Sequence, residues 1–69
     1  MVEIFKTNVT DHLQAEKILA LLKLHFPCYS VNFDLHDCDK ILRVKGDSVL
    51  INEIEDLVST AGFYCSVLN

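Results

Sequence analysis

The spacing of apolar and polar residues changes several times along this 69-residue chain, and each change marks an element. Val2 to Thr7 alternates with period two and predicts a strand. Val2 and Ile4 take the inward parity; Met1, Glu3, Phe5 and Thr7 take the outward one. Lys6 shares the inward parity near the strand end, where its amine can reach water. From Asp11 to about His25 the period becomes helical, with Ala15, Ile18, Leu19, Leu22 and Phe26 forming the buried stripe. Leu13, Ala20 and Leu24 lie on roughly the opposite side, a second stripe either exposed or covered by a partner. Asp11 with Gln14 three residues later approximates a capping box, and Pro27 stops the helix.

Alternation returns at Cys28 to Leu35, with Val31, Phe33 and Leu35 on one face and Ser30, Asn32 and Asp34 on the other. His36 to Asp39 is a polar turn. Lys40 to Lys45 is the third strand, with Leu42 and Val44 inward and Ile41, Arg43 and Lys45 outward. Ser48 is placed to cap a second helix over Val49 to Ala61, whose stripe is Leu50, Ile54, Leu57, Val58 and Ala61. Gly62 suits a left-handed C-terminal cap. Phe63 to Leu68 is the last strand, with Phe63, Cys65 and Val67 on one parity.

The order β-α-β-β-α-β is satisfied by a ferredoxin-like α+β sandwich: one four-stranded antiparallel sheet, strand order 4-1-3-2, with both helices on one face. That topology gathers Asn8 to Gln14, His36 to Asp39 and Gly62 to Tyr64 at one end, and Cys28 at the other. Residues 1–69 form a single domain, near the lower size limit for folding without staples.

Composition narrows the function. The net charge is −4 and the basic residues are dispersed, so the clustered Lys and Arg that bind phosphate backbones are missing and nucleic acid is not expected. The cysteines Cys28, Cys38 and Cys65 are odd in number and widely spaced, unlike a disulfide framework, which points to a reducing cytoplasmic setting. No apolar run approaches membrane-spanning length. No nucleophile–base spacing and no phosphate-cradling glycine loop is present, so an enzyme is not expected. Cys38 lies near His36 but among acidic neighbours, a setting unlike that of a catalytic cysteine.

Thr10, Ile18, Leu22, Ser30-Val31-Asn32-Phe33-Asp34-Leu35, Leu42-Arg43-Val44, Gly46-Asp47, Ile54, Ala61-Gly62-Phe63 and Val67-Leu68 follow one another in an order that resembles the heavy-metal-associated domain of copper chaperones and metal-pumping ATPases. The resemblance covers nearly the whole chain. It implies a soft-metal site of the form G-M-x-C-x-x-C, in which two thiolates hold Cu(I) or sometimes Zn(II). Here Asn8 and Val9 stand at the glycine and methionine positions, and Asp11 and Gln14 at the two cysteine positions. Those oxygen-bearing groups do not suit Cu(I), so the chain resembles a degenerate member without the family's metal. Phe5-Lys6-Thr7-Asn8 and Asp37-Cys38-Asp39 bring it nearer still to stand-alone relatives lacking the CxxC pair.

Two functional expectations follow. The first is a binding or interaction module with no cofactor, taking a protein partner or a second copy through Phe5, Ile41 and Tyr64 on the open sheet face, with Leu68, or through the Leu13 and Leu24 stripe. The second is Cu or Zn binding through relocated ligands, chiefly Cys38 with His36, His12 or Cys65. Against the second stand plainer roles: His12 in a solvated first turn, His36 to Asp39 as a polar hairpin turn, Cys65 as a small core residue and Asp11 as a cap.

Overall fold

The computed structural model describes residues 1–68 of the chain. Its elements are β1 (Val2–Thr7), α1 (His12–His25), β2 (Ser30–Asp34), β3 (Ile41–Lys45), α2 (Ile51–Thr60) and β4 (Cys65–Val67). The strands form one antiparallel sheet in the order β2-β3-β1-β4, as the sequence predicts. Both helices pack on one face, α1 beside β2 and α2 beside β4, enclosing a core that includes Phe5, Ile18, Leu22, Leu42, Ile54 and Val58. No helix among the described residues is long and apolar enough to cross a membrane.

The sequence-based phase of β1 is inverted. Phe5 pairs with Leu42 and Glu3 with Val44, both inward partners, so Glu3, Phe5 and Thr7 face the helices. Phe5 is fully buried, whereas Val2 is 49% exposed on the open face and Ile4 is half-buried there. Counting apolar residues favours Val2 and Ile4. The structure instead buries the largest side chain of the strand, and a one-residue shift turns over every position at once. Thr7 can be buried because its hydroxyl donates to the Lys40 carbonyl at 2.5 Å and accepts the Val9 N–H at 3.2 Å. Ile41 keeps its outward parity yet is only 6% exposed. Its register neighbour is Asp34, and one step further along β1 the register sets Lys6 on its other side. Parity names the face of a residue; neighbouring side chains decide its exposure.

The second helix begins two residues later than expected. Leu50, not Ser48, is the N-cap residue, it makes no side-chain cap, and it is 46% exposed rather than part of the stripe. Val49 is the buried residue there. Tyr29 supplies the missing cap from across the fold: its hydroxyl accepts the Leu50 N–H at 3.0 Å and donates to the Ser48 carbonyl at 2.7 Å. The Tyr29 ring stacks on Phe26, with centroids 5.0 Å apart, and lies against Gly46, where an added Cβ would come within 2.7 Å of it. At the other end of α2, Gly62 has φ +100°, with Gly62 N–H donating to Ser59 and Phe63 N–H to Val58, the hydrogen bonds of a Schellman motif. The strands β2 and β4 are shorter than the alternation suggested. Lys40, with φ 48°, belongs to the preceding turn and delays β3 to Ile41.

Candidate functional site

The junction between β1 and α1 is occupied by the protein's own hydrogen bonds. Asp11 Oδ1 accepts the Gln14 N–H at 2.8 Å, and Gln14 Oε1 reaches back to the Thr10 N–H at 3.1 Å and its hydroxyl at 3.3 Å. This is a capping box whose return bond lands one residue early. The Asn8 side chain accepts the Tyr64 N–H at 2.8 Å, and Thr7 N–H donates to the Asp39 carbonyl at 3.0 Å, so the junction ties together the loops before β3 and β4. Val9 is fully buried. The donors at 11 and 14 are hard oxygens engaged in capping a helix, unlike the thiolates that soft metals favour.

The loop end is assembled as the sequence suggests, but the candidate ligands do not converge on one point. Among the described residues, one set of three His, Cys, Asp or Glu side chains brings its ligand atoms within 4.8 Å of one another: Asp37, Cys38 and Asp39. His12, His36 and Cys65 do not belong to that set. Asp37 Oδ1 accepts the Asp39 N–H at 2.8 Å, and Asp39 Oδ1 lies 3.6 Å from Lys6 Nζ. Both carboxylates therefore have local work in the turn. Cys38 is exposed. The set offers one soft and two hard donors, short of the four ligands of a closed zinc site.

Cys65 faces the core side of β4, half-buried, opposite Thr7. Burial pushes its thiol up to about 12, and the nearby Glu55 carboxylate pushes in the same direction. A thiol held neutral is neither a ready nucleophile nor a ready metal ligand.

The interaction surfaces divide. Phe5 leaves the open face for the core and Ile41 is covered, so neither can form the expected apolar patch with Tyr64. Tyr64 stays 54% exposed, without Phe5 beside it. The α1 stripe is present: Leu13 and Leu24 are 74% and 76% exposed.

A feature the alternation did not single out is a cleft of about 760 Å³ that wraps the β2 edge. His12 and Glu16 of α1 line one side, and Asn32, Asp34, His36 and Arg43 the other, over a floor that includes Leu19 and Phe33. The two loop histidines thus share a cleft without forming a ligand set. The available signal was a strand with neither Pro nor Lys, lying last in the sheet.

Comparison with protein-family models, with curated proteins and with solved structures finds no match for this chain.

Proposed function

We propose that this chain is a small cytoplasmic binding module of the heavy-metal-associated type that has lost the family's thiolate site, that it is not an enzyme, and that its partner is a protein or a second copy of itself. One observation carries the reading: Asp11 and Gln14, at the two ligand positions, are both spent on capping α1. The dispersed basic residues and the net charge of −4 speak against nucleic acid. The test is a titration of the reduced protein with Cu(I) and with Zn(II) against a competing chelator. The expected result is no stoichiometric binding at micromolar metal; tight binding of either ion would refute the module reading.

A second reading, Cu or Zn binding at the turn before β3, is favoured by the convergence of Asp37, Cys38 and Asp39. It requires that Cys38→Ser abolish tight binding in the same titration. Binding that survives the substitution would eliminate this reading.

A further inference from the structure

The sheet has two edges, and only one is guarded. β4 is three residues long, and the Val67 N–H, which points off that edge, is taken by Glu55 Oε2 at 2.9 Å. β2 is five residues long and carries neither Pro nor Lys, the usual devices that blunt an edge. The register shows which of its backbone groups are free. Leu68 N–H donates to the Ile4 carbonyl, so Ile4 turns its backbone groups toward β4, and by alternation Phe5 turns its own toward β3. Phe5 pairs with Leu42, so Leu42 and Val44 face β1, while Ile41, Arg43 and Lys45 face β2. Their partners Asp34, Asn32 and Ser30 are thereby engaged. The N–H and C=O groups of Val31 and Phe33 point off the edge. The next carbonyl in that series, Leu35, is taken by Lys40 Nζ at 3.0 Å.

We propose that a second copy of this chain docks antiparallel on the β2 edge, with a two-fold axis at Asn32, joining two sheets into one. The proposal rests on the interaction-module reading and names its partner. About that axis Val31 meets the second copy's Phe33, and Phe33 its Val31, so the two donors and two acceptors of each edge are all satisfied. The side chains agree with the backbone. On the helix face each pair is aromatic against β-branched; on the open face Ser30 meets Asp34 and Asn32 meets Asn32.

The helices fit the same axis. Strands lie about 4.8 Å apart, and α1 sits beside β2, so joining the edges brings the two copies of α1 to roughly the 8–10 Å of packed helices. The flank of α1 on that side carries His12, Glu16 and Leu19, which line the cleft, and Lys23 one turn further on. In an antiparallel helix pair centred between Leu19 and Ala20, Glu16 faces the second copy's Lys23, and Lys23 its Glu16. Like charges do not meet along this pair, and the cleft beside β2 is the space the second copy enters.

Sedimentation velocity of the reduced protein from ~10 µM to ~1 mM reads the association. The expected mass rises from 7.8 kDa toward twice that value. Glu16→Lys and Lys23→Glu, both at exposed positions, each weaken association at least about tenfold, and the double variant restores it. Amide exchange at Val31 and Phe33 slows as concentration rises, while exchange at Cys65 does not. A strict monomer at ~1 mM, or a dimer indifferent to both charge reversals, overturns the proposal. The metal titration reads separately: a monomer that binds no metal removes the second copy alone, whereas tight metal binding removes the module reading beneath it.

Discussion

Asp11→Cys with Gln14→Cys is the perturbation that asks what the β1–α1 junction has become. It deletes the Asp11 Oδ1 bond to the Gln14 N–H and the Gln14 Oε1 bonds to Thr10. An N-cap deletion costs typically ~1 kcal/mol, and an exposed return bond contributes about 0.5 kcal/mol more. The metal-free double variant is therefore less stable by about 1.5 kcal/mol, which for a domain of this size lowers Tm by roughly 6–12 °C. Cysteines three residues apart in a first helical turn place two thiolates at the positive end of the helix dipole, where the thiolate form is favoured. Cu(I) at about a thousandfold above its Kd then returns ~4 kcal/mol, more than the cap removed.

Thermal unfolding followed by circular dichroism, with and without Cu(I) under reducing conditions, separates the two effects. The parent chain keeps one Tm throughout. The double variant drops without metal and rises above the parent with it. A variant that loses no stability would show that the capping box is idle, and the claim that helix capping occupies these positions would fail. A destabilised variant that gains nothing from Cu(I) would show that the junction lacks the geometry of a thiolate site, and the proposed likeness to the heavy-metal-associated type would fail at the two ligand positions.

Phe5→Ala is expected to cost about 3–5 kcal/mol and Ile4→Ala less than about half of that; denaturant unfolding of both checks the phase of β1, and equal costs would refute it. Tyr29→Phe removes the hydroxyl that caps α2 and lowers stability by about 1–2 kcal/mol, read as a Tm shift; no shift would mean that the Ser48 and Leu50 bonds contribute nothing. At pH 8 a thiol reagent is expected to modify Cys28 and Cys38 quickly and Cys65 slowly, because the first two are exposed and the third is held neutral; three equal rates would contradict this. Since folding raises the Cys65 pKa above its ordinary value of 9.0, the neutral thiol's contribution to stability is complete below pH 9 and is lost as pH climbs toward 12. The parent should lose more stability than Cys65→Ala between pH 9 and 11 in parallel denaturant titrations, and matching losses would contradict the shift.

Helix periodicity, the Asp11 cap, the Gly62 turn and the strand order were all legible in the sequence, because each depends on residues near one another or on short connections that allow few topologies. The start of α2 was not. Ser48 has the chemistry of a cap, but the group that caps is the Tyr29 hydroxyl, brought by tertiary packing from before β2, and no local pattern announces it. The arrangement of donor groups at the loop end was not legible for a related reason. A topology brings loops to one end of a sandwich, but a metal needs ligand atoms gathered within a few ångströms, and among the described residues the set of three that gathers there is Asp37, Cys38 and Asp39, without His12, His36 or Cys65.

The inverted phase of β1 moves the candidate surface to another part of the molecule. With Phe5 outward beside Tyr64, the open face would have been an aromatic patch, and docking would have been a matter of flat apolar contact. With Phe5 in the core, that face offers Val2, Ile4 and Leu68 among Lys6, Arg43 and Lys45. The unmet bonding capacity lies instead in the plane of the sheet, at the four backbone groups of Val31 and Phe33. Those groups are directional, so an edge partner must supply a strand in register, a demand an apolar face does not make. A sequence whose β2 and α1 flanks both match themselves under one two-fold axis meets that demand without a second gene product. The Glu16→Lys and Lys23→Glu reversals therefore probe specificity as well as affinity. Each single variant should fail to pair with itself, because its two facing positions then carry the same sign. Mixed together, the two variants should pair: one chain is positive at both positions and its mate negative at both, so every facing pair is again of opposite sign. Sedimentation of the equimolar mixture against each variant alone reads this, and a mixture no heavier than its components would refute the antiparallel helix pairing.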